Sequence, residues 1–272
     1  MKVSNLPLYP SVMGIVNVTP DSFYAKSRVQ EAEALRRRVR QILDEGGTMI
    51  DVGAYSTRPG AAEVTAEEEL NRLRWALPIV REVAGEDVSI SVDTYRAHVA
   101  EVCVEELGAD VINDVSGGTL DEEMFAVVRR TRAPYIMMHM RGTPQTKQQH
   151  TDYPEGVVNE VIAFFRRQLE ALGEAGPVIL DPGYGFAKTL EQNYELMQGL
   201  DQIREAFPEL PVLVGVSRKS MIYRLLDTDA DHALNGTSVL NTYALLHGAS
   251  ILRVHDVREA VEAVRICALL RQ

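Results

Sequence analysis

Val12-Met13-Gly14-Ile15-Val16 runs into Asn17-Val18-Thr19-Pro20-Asp21-Ser22-Phe23, and the reading of this stretch decides the fold. A short apolar run rich in β-branched residues, stopped by an X-Pro turn, is a buried strand ending in a loop. An amide, a carboxylate and an aromatic ring leave its C-terminal end together, where parallel α/β proteins place their chemistry. The competing reading is a polar turn in which Asp21 or Ser22 caps the next helix.

The same pattern recurs along the chain. Residues 48–53, 88–92, 109–112, 134–138, 177–180, 211–216 and 250–254 are further apolar, strand-like runs. Helical spacing separates them: Leu35, Val39, Ile42 and Leu43 in residues 31–45, then Leu70, Leu73, Leu77 and Val80 after the capping pattern Thr65-Ala-Glu-Glu68. Pro154 suits the start of the helix carrying Val158, Val161 and Phe165, and another helical segment spans 237–247. Eight near-continuous apolar strands, each followed by a helix, predict an α/β chain folded as one (β/α)8 TIM barrel over residues 1–272. A doubly wound open sheet is the alternative.

Composition narrows the function. A net charge of −11 over 272 residues excludes a nucleic acid or an anionic membrane as partner. An anion must then be held by a few locally placed cations. The two cysteines, Cys103 and Cys267, form no metal or disulfide pattern and read as small core residues. No signal-peptide or membrane-length apolar run is present, which points to the cytoplasm. The run Arg36-Arg37-Arg38, flanked by acids, reads as a solvated helix face.

Polar residues gather at the strand ends: Asn17, Asp51, Asp93, Asn113 with Asp114, His139, Asp181, Lys219, and Arg253 with His255. In a barrel all project toward the C-terminal mouth. Each has a plain structural alternative: a cap at Asp93, Ser220 or Asp256, a turn at Asn113-Asp114 or Asp181-Pro-Gly. As a set they divide by charge. Asp93, Asn113 and Asp181 offer acceptors, which calls for a ligand rich in N–H donors, such as a 2-amino-4-oxo heterocycle. Arg58, Lys219, Arg253 and His255 supply cations suited to a phosphate or diphosphate. No His/Cys cluster offers a transition-metal site, whereas magnesium shared between Asn17 and a diphosphate fits that ion's habits.

Eight motifs carry a resemblance. Met13-Gly-Ile-Val-Asn-Val-Thr-Pro-Asp-Ser-Phe23, Ser56-Thr-Arg-Pro-Gly60, Ser91-Val-Asp-Thr94, Ile112-Asn-Asp114, Met138-His-Met140, Asp181-Pro-Gly-Tyr-Gly-Phe186, Ser217-Arg-Lys-Ser220 and Arg253-Val-His-Asp256 resemble, in order, the dihydropteroate synthase family. The resemblance implies condensation of 6-hydroxymethyl-7,8-dihydropterin diphosphate with 4-aminobenzoate, with magnesium, in a homodimer. It implies a pterin site of Asp93, Asn113, Met138, Asp181, Gly215 and Lys219. The implied diphosphate site is Asn17, Arg58, Arg253 and His255, with Asn17 on the metal. The implied 4-aminobenzoate pocket is Phe23, Thr57, Pro59, Phe186, Lys219 and Ser220. By the same resemblance, Asp21, Lys219, Arg253 and His255 carry the catalytic roles. Three departures stand out: Tyr24-Ala25-Lys26-Ser27 replaces the family's usual Ser-Asp-Gly-Gly, Tyr55 replaces a Glu, and Ala187 replaces a Gly. The alternatives are a methyltetrahydrofolate-binding corrinoid methyltransferase and a non-catalytic pterin-binding paralogue.

Overall fold

The computed structural model describes residues 10–18, 25–55, 64–143, 146 and 150–270, with side chains from residue 30 onward in the first helix. Eight parallel strands are present: β1 Ser11–Asn17, β2 Met49–Gly53, β3 Ser89–Asp93, β4 Val111–Asp114, β5 Tyr135–Met138, β6 Val178–Asp181, β7 Leu213–Val214 and β8 Ile251–Val254. Their order is β6-β5-β4-β3-β2-β1-β8-β7, and a parallel bridge between Leu180 and Val212 joins the two outer strands. The sheet therefore closes on itself, as the alternation of strands and helices predicts.

The period-2 alternation of each strand separates two cores. Met13, Met49, Val111, Ile136, Ile179, Leu213 and Ile251 form an apolar layer inside the barrel. The opposite faces, including Val12, Ile50, Val92, Ile112 and Leu252, pack outward under the helices. Gly14 lies on this outward side, where an added Cβ would come within 2.7 Å of Ile42. Only glycine lets the helix carrying Ile42 seat so closely on β1.

Between β1 and β2 runs α1 Ala25–Asp44, six residues longer at its N-terminus than the apolar spacing of 31–45 predicts. Ala25-Lys26-Ser27 is compatible with helix, so the helix begins before its apolar period does. The next helices are α2 Ala66–Ala84, α3 Ala97–Glu105 and α4 Met124–Thr131. Thr65 caps α2, its hydroxyl accepting from Glu68 N at 3.2 Å, but Glu68 pairs with Arg72 rather than completing the box. Helix α5 Val157–Leu172 starts after an N-cap at Gly156 rather than at Pro154, which sits in the preceding turn. Two helices, α6 Leu190–Gln198 and α7 Leu200–Ala206, fill the β6–β7 crossover, and α6 carries a full capping box of Thr189 and Gln192. Helices α8 Ser220–Leu225 and α9 Leu234–Leu246 precede β8, and α10 Val257–Leu270 follows it. Strand β7 is shorter than residues 211–216 predict, because Gly215 and the turn at Ser217-Arg218 leave the ladder early.

Candidate active site

Register puts two of the expected acceptors, Asp93 and Asn113, in one row, which continues through Ile136 and Ile179, and Asp181 stands two residues further along on the same face. Asn17 pairs with Gly53, Gly53 with Asp93, and Asp93 with Asn113, while Met138 pairs with Asp181. Side chains on residues of one register row share a face. Asn17, Asp93, Asn113, Met138 and Asp181 therefore rim the C-terminal mouth, above the apolar layer.

Two residues below Gly53 on the same face lies Asp51, fully buried. Its Oδ2 accepts from Arg253 Nε at 2.7 Å and from Asn113 Nδ2 at 3.1 Å, and Arg253 Nη2 reaches Asp93 at 2.8 Å. Arg253 thus spans two carboxylates. Burial alone would lower the guanidinium pKa, but the charges of Asp51 and Asp93 outweigh it and hold the pKa above the ordinary value. Burial and the neighbouring carboxylates push Asp93 up to about 7 against the pull of Arg253. Burial likewise raises Asp181, opposed by Lys219 and by the Gly183 N–H bond at 2.8 Å.

The wall beside these acceptors is apolar. Val115, Met138, Met140 and Phe186 form a separate buried cluster with Tyr95 and Leu120 against it. A flat ring laid on the acceptor row would rest on this surface. Lys219 donates to Tyr184 O at 2.6 Å and places its Nζ 4.8 Å from the Phe186 ring centroid, a cation–π distance. An added Cβ on Gly215 would lie 3.9 Å from Lys219 Nζ and 3.8 Å from Arg253 Cβ, so this glycine keeps the space between the two cations open.

Several expectations change. His255 is not a cation: burial, then Arg253, depress its pKa to about 4. Its backbone N–H donates to Ser217 Oγ at 3.1 Å, and its Nδ1 lies 3.1 Å from the same oxygen. With the hydroxyl hydrogen directed at Nδ1, the ring hydrogen is on Nε2, so His255 is a neutral donor. His139 does not face the mouth. It is fully buried, edge-on to Phe164 at 5.0 Å, with Nδ1 3.0 Å from Lys188 Nζ. Asp114 points away from Asn113, as alternation requires, and accepts from Tyr135 OH, Ser116 N and Gly118 N. Asp93 is no helix cap, since Asp121 accepts from Ala97 N instead. Asp256 holds Arg218 through two bonds of 2.8 Å, and Ser220 is the first residue of α8.

Arg38 also departs from the solvated face expected for its basic run. Its guanidinium reaches under the barrel rim, donating to His255 O at 2.7 Å and to Ile15 O at 3.3 Å. Asp21, Phe23, Thr57, Arg58 and Pro59 lie outside the described residues. Tyr55, two to four residues before Thr57, Arg58 and Pro59 in sequence, meets Tyr95 edge-on at 5.8 Å, with Arg96 over both rings and paired to Glu69.

Composition and spacing did not reveal the Lys188 knot. Lys188 is buried and donates to Gly183 O and Phe186 O at 2.9 Å each, and burial holds its pKa well below the usual lysine value. It ties down the turn that carries Asp181 and Phe186. Gly183 in that turn has φ 73°, and an added Cβ would collide with His139 O. Ala187 follows at φ 52°, a left-handed conformation in which glycine would carry no side-chain penalty.

Comparison with known proteins matches this geometry to a family. A family model described as pterin binding enzyme matches residues 13–255. A dihydropteroate synthase of Synechocystis is 40% identical over 265 residues, 95% of this chain and 89% of that protein. The crystal structure of dihydropteroate synthase from Clostridium difficile in the presence of pteroic acid superposes with a TM-score of 0.87 at 33% identity, covering 97% of this chain and 98% of that one. The Thermus thermophilus enzyme in complex with 4-aminobenzoate gives 0.82 at 37% identity, covering 97% and 95%. This chain belongs to the dihydropteroate synthase family of pterin-binding enzymes.

Proposed function

We propose that this chain condenses 6-hydroxymethyl-7,8-dihydropterin diphosphate with 4-aminobenzoate, giving 7,8-dihydropteroate and diphosphate. The observation that carries the reading is the set of Asp93, Asn113 and Asp181 on one face of the barrel mouth beside an apolar wall, with Arg253 and Lys219 at the same end. Acceptors at the floor suit the N–H edge of a 2-amino-4-oxo ring, and Met138 and Phe186 flank its faces. Gly215 leaves room for the ring between the cations.

The diphosphate end of the substrate would lie toward Asn17, Arg253 and His255, joined by Arg58. Breaking the bond between the exocyclic carbon and the diphosphate oxygen leaves positive charge on the electron-rich pterin. The amine nitrogen of 4-aminobenzoate then bonds that carbon and gives up a proton. No protein nucleophile is needed, so the chain's task is to orient both substrates and to stabilise charge. Arg253 and Lys219 answer the negative charge of the leaving group, and His255 donates through Nε2. Asp21 is assigned to the cationic side of the transition state. Phe23, Thr57, Pro59, Phe186 and Ser220 are assigned to the aminobenzoate, with Lys219 between the two substrates.

Magnesium fits the residues present. Asn17 Oδ1 and Asp93 Oδ2 converge over Gly53, within 3.8 and 3.6 Å of where a Cβ would stand. No group of three or more acidic, His or Cys ligands exists among the described residues, so the ion would take most ligands from phosphate. When bound at Asn17, it would neutralise charge on the departing diphosphate.

We assign a homodimer to this chain, supported by exposed apolar residues on α8, α9 and α10, among them Leu225, Val239, Leu246, Ile266 and Leu269. Light scattering should then give twice the 30.2 kDa chain mass. No helix among the described residues is long and apolar enough to cross a membrane. Two buried cysteine thiols suit the reducing cytoplasm. The activity is tested by following diphosphate: release should require both substrates and magnesium. Release without 4-aminobenzoate, or none with both, would reject the reading.

A further inference from the structure

Asp51 has no role in the scheme above, yet it lies at the centre of the polar cluster. It is fully buried two residues below the row of Asn17, Asp93 and Asn113, on the same face. Its Oδ2 has Arg253 Nη2 at 2.6 Å, Arg253 Nε at 2.7 Å and Asn113 Nδ2 at 3.1 Å. A guanidinium only donates, so Oδ2 must be an acceptor there. Whatever else reaches the same oxygen must also donate. The two ends of the Asn113 amide differ only in polarity, and this contact selects between them: nitrogen toward Asp51, oxygen away from it. Asn113 therefore offers the mouth a carbonyl oxygen, matching the acceptors of its register neighbour Asp93.

We propose that Asp51 is a positioning residue that sets the hydrogen-bond polarity of the pterin site, locking Asn113 as an acceptor and holding Arg253 beside it without touching substrate. The inference rests on the pterin reading above. An amide at position 51 would break the arrangement in a specific way. It would bring N–H groups against Arg253, and it could accept or donate toward Asn113, so Asn113 would be free to turn its nitrogen to the ring. A site built to pair with a substrate N–H discriminates strongly when its own polar group is mismatched.

The polarity argument makes a prediction that simple packing does not. Asp51→Asn should bind 6-hydroxymethylpterin, the ring without diphosphate, at least ~30-fold more weakly by calorimetry, a loss of the size expected for a mismatched buried hydrogen bond. KM for 4-aminobenzoate should move less than about twofold, because that substrate has no contact with the cluster. Asn113→Asp alone sets two carboxyl groups against each other and should also lose ring affinity. The double variant Asp51→Asn/Asn113→Asp restores a donor–acceptor pair of opposite order, with a carboxylate presenting an acceptor at 113. It should recover at least ~10-fold of the affinity lost by either single change. Ring affinity unchanged in Asp51→Asn, or losses that simply add in the double variant, would overturn the proposal. If Asp51→Asn fails to fold, the comparison of Asn113→Asp with the double variant decides alone. Failure of the wild-type protein to bind the ring would instead reject the pterin reading itself.

Discussion

At Asp93 and His255 the same barrel mouth shifts two ionisable groups in ways that oppose each other across one pH window. Asp93 is raised by burial to about 7 from an ordinary value of 3.8. Its stabilising contribution is complete at low pH and is lost as pH rises through about 7. His255 is depressed from 6.5 to about 4, so it favours the folded state above 6.5 and loses that contribution as pH falls toward 4. Replacing His255 with Asn keeps a neutral donor and should flatten the acid side of a stability–pH curve while preserving most of the turnover. A turnover collapse equal to that of His255→Ala would show that a charged imidazole is required. A carboxylate, not a carboxylic acid, suits the ring's N–H donors, so KM for the pterin diphosphate should rise by up to about tenfold per unit as pH drops below about 7. Steady-state kinetics from about pH 6 to 8 tests this, and Asp93→Asn should abolish the slope. The acceptor row was legible from residue type and strand-end position. The state of His255 was not, because its neutrality comes from burial and the charge of Arg253, and its tautomer from Ser217, 38 residues away in sequence.

Among the elements, the turn from Asp181 to Lys188 shows what sequence periodicity leaves out. Lys188 looks like a surface lysine in the primary structure, yet three-dimensional closure brings His139 and two carbonyls around its amine. Lys188→Met should leave Gly183 O and Phe186 O unpaired, costing about 2 kcal/mol in chemical denaturation. It should raise KM for 4-aminobenzoate more than kcat falls, because Phe186 is released while the acceptor row stays. A fall in kcat with no change in KM would contradict the tether. One residue along, Ala187 bears the left-handed backbone penalty at φ 52°. Ala187→Gly should gain about 1 kcal/mol in urea unfolding, and a loss would mean that the alanine methyl contributes more than its backbone costs. The start of helix α1 is not legible in the sequence because its first turn carries no apolar period, only helix-compatible residues. Arg38 is hidden for a related reason: charge runs report average exposure, not the one guanidinium that reaches back to Ile15 O and His255 O.

For the whole molecule, eight apolar runs in sequence were enough to specify a barrel, since strands buried on both faces carry little else. What the runs could not specify was closure, which depends on the bridge from Leu180 to Val212. The acidic balance of −11 makes local cations decisive for an anionic substrate. Arg253, however, is engaged by Asp51 and Asp93, so its charge is organised by the pterin floor as much as aimed at phosphate. The central claim is that the donor edge of a pterin is read by Asp93, Asn113 and Asp181 together. Calorimetric titration of 6-hydroxymethylpterin diphosphate into the wild type and Asp181→Asn tests it most directly. The account predicts binding to the wild type and none measurable in the variant at unchanged thermal stability; full affinity in Asp181→Asn would contradict it.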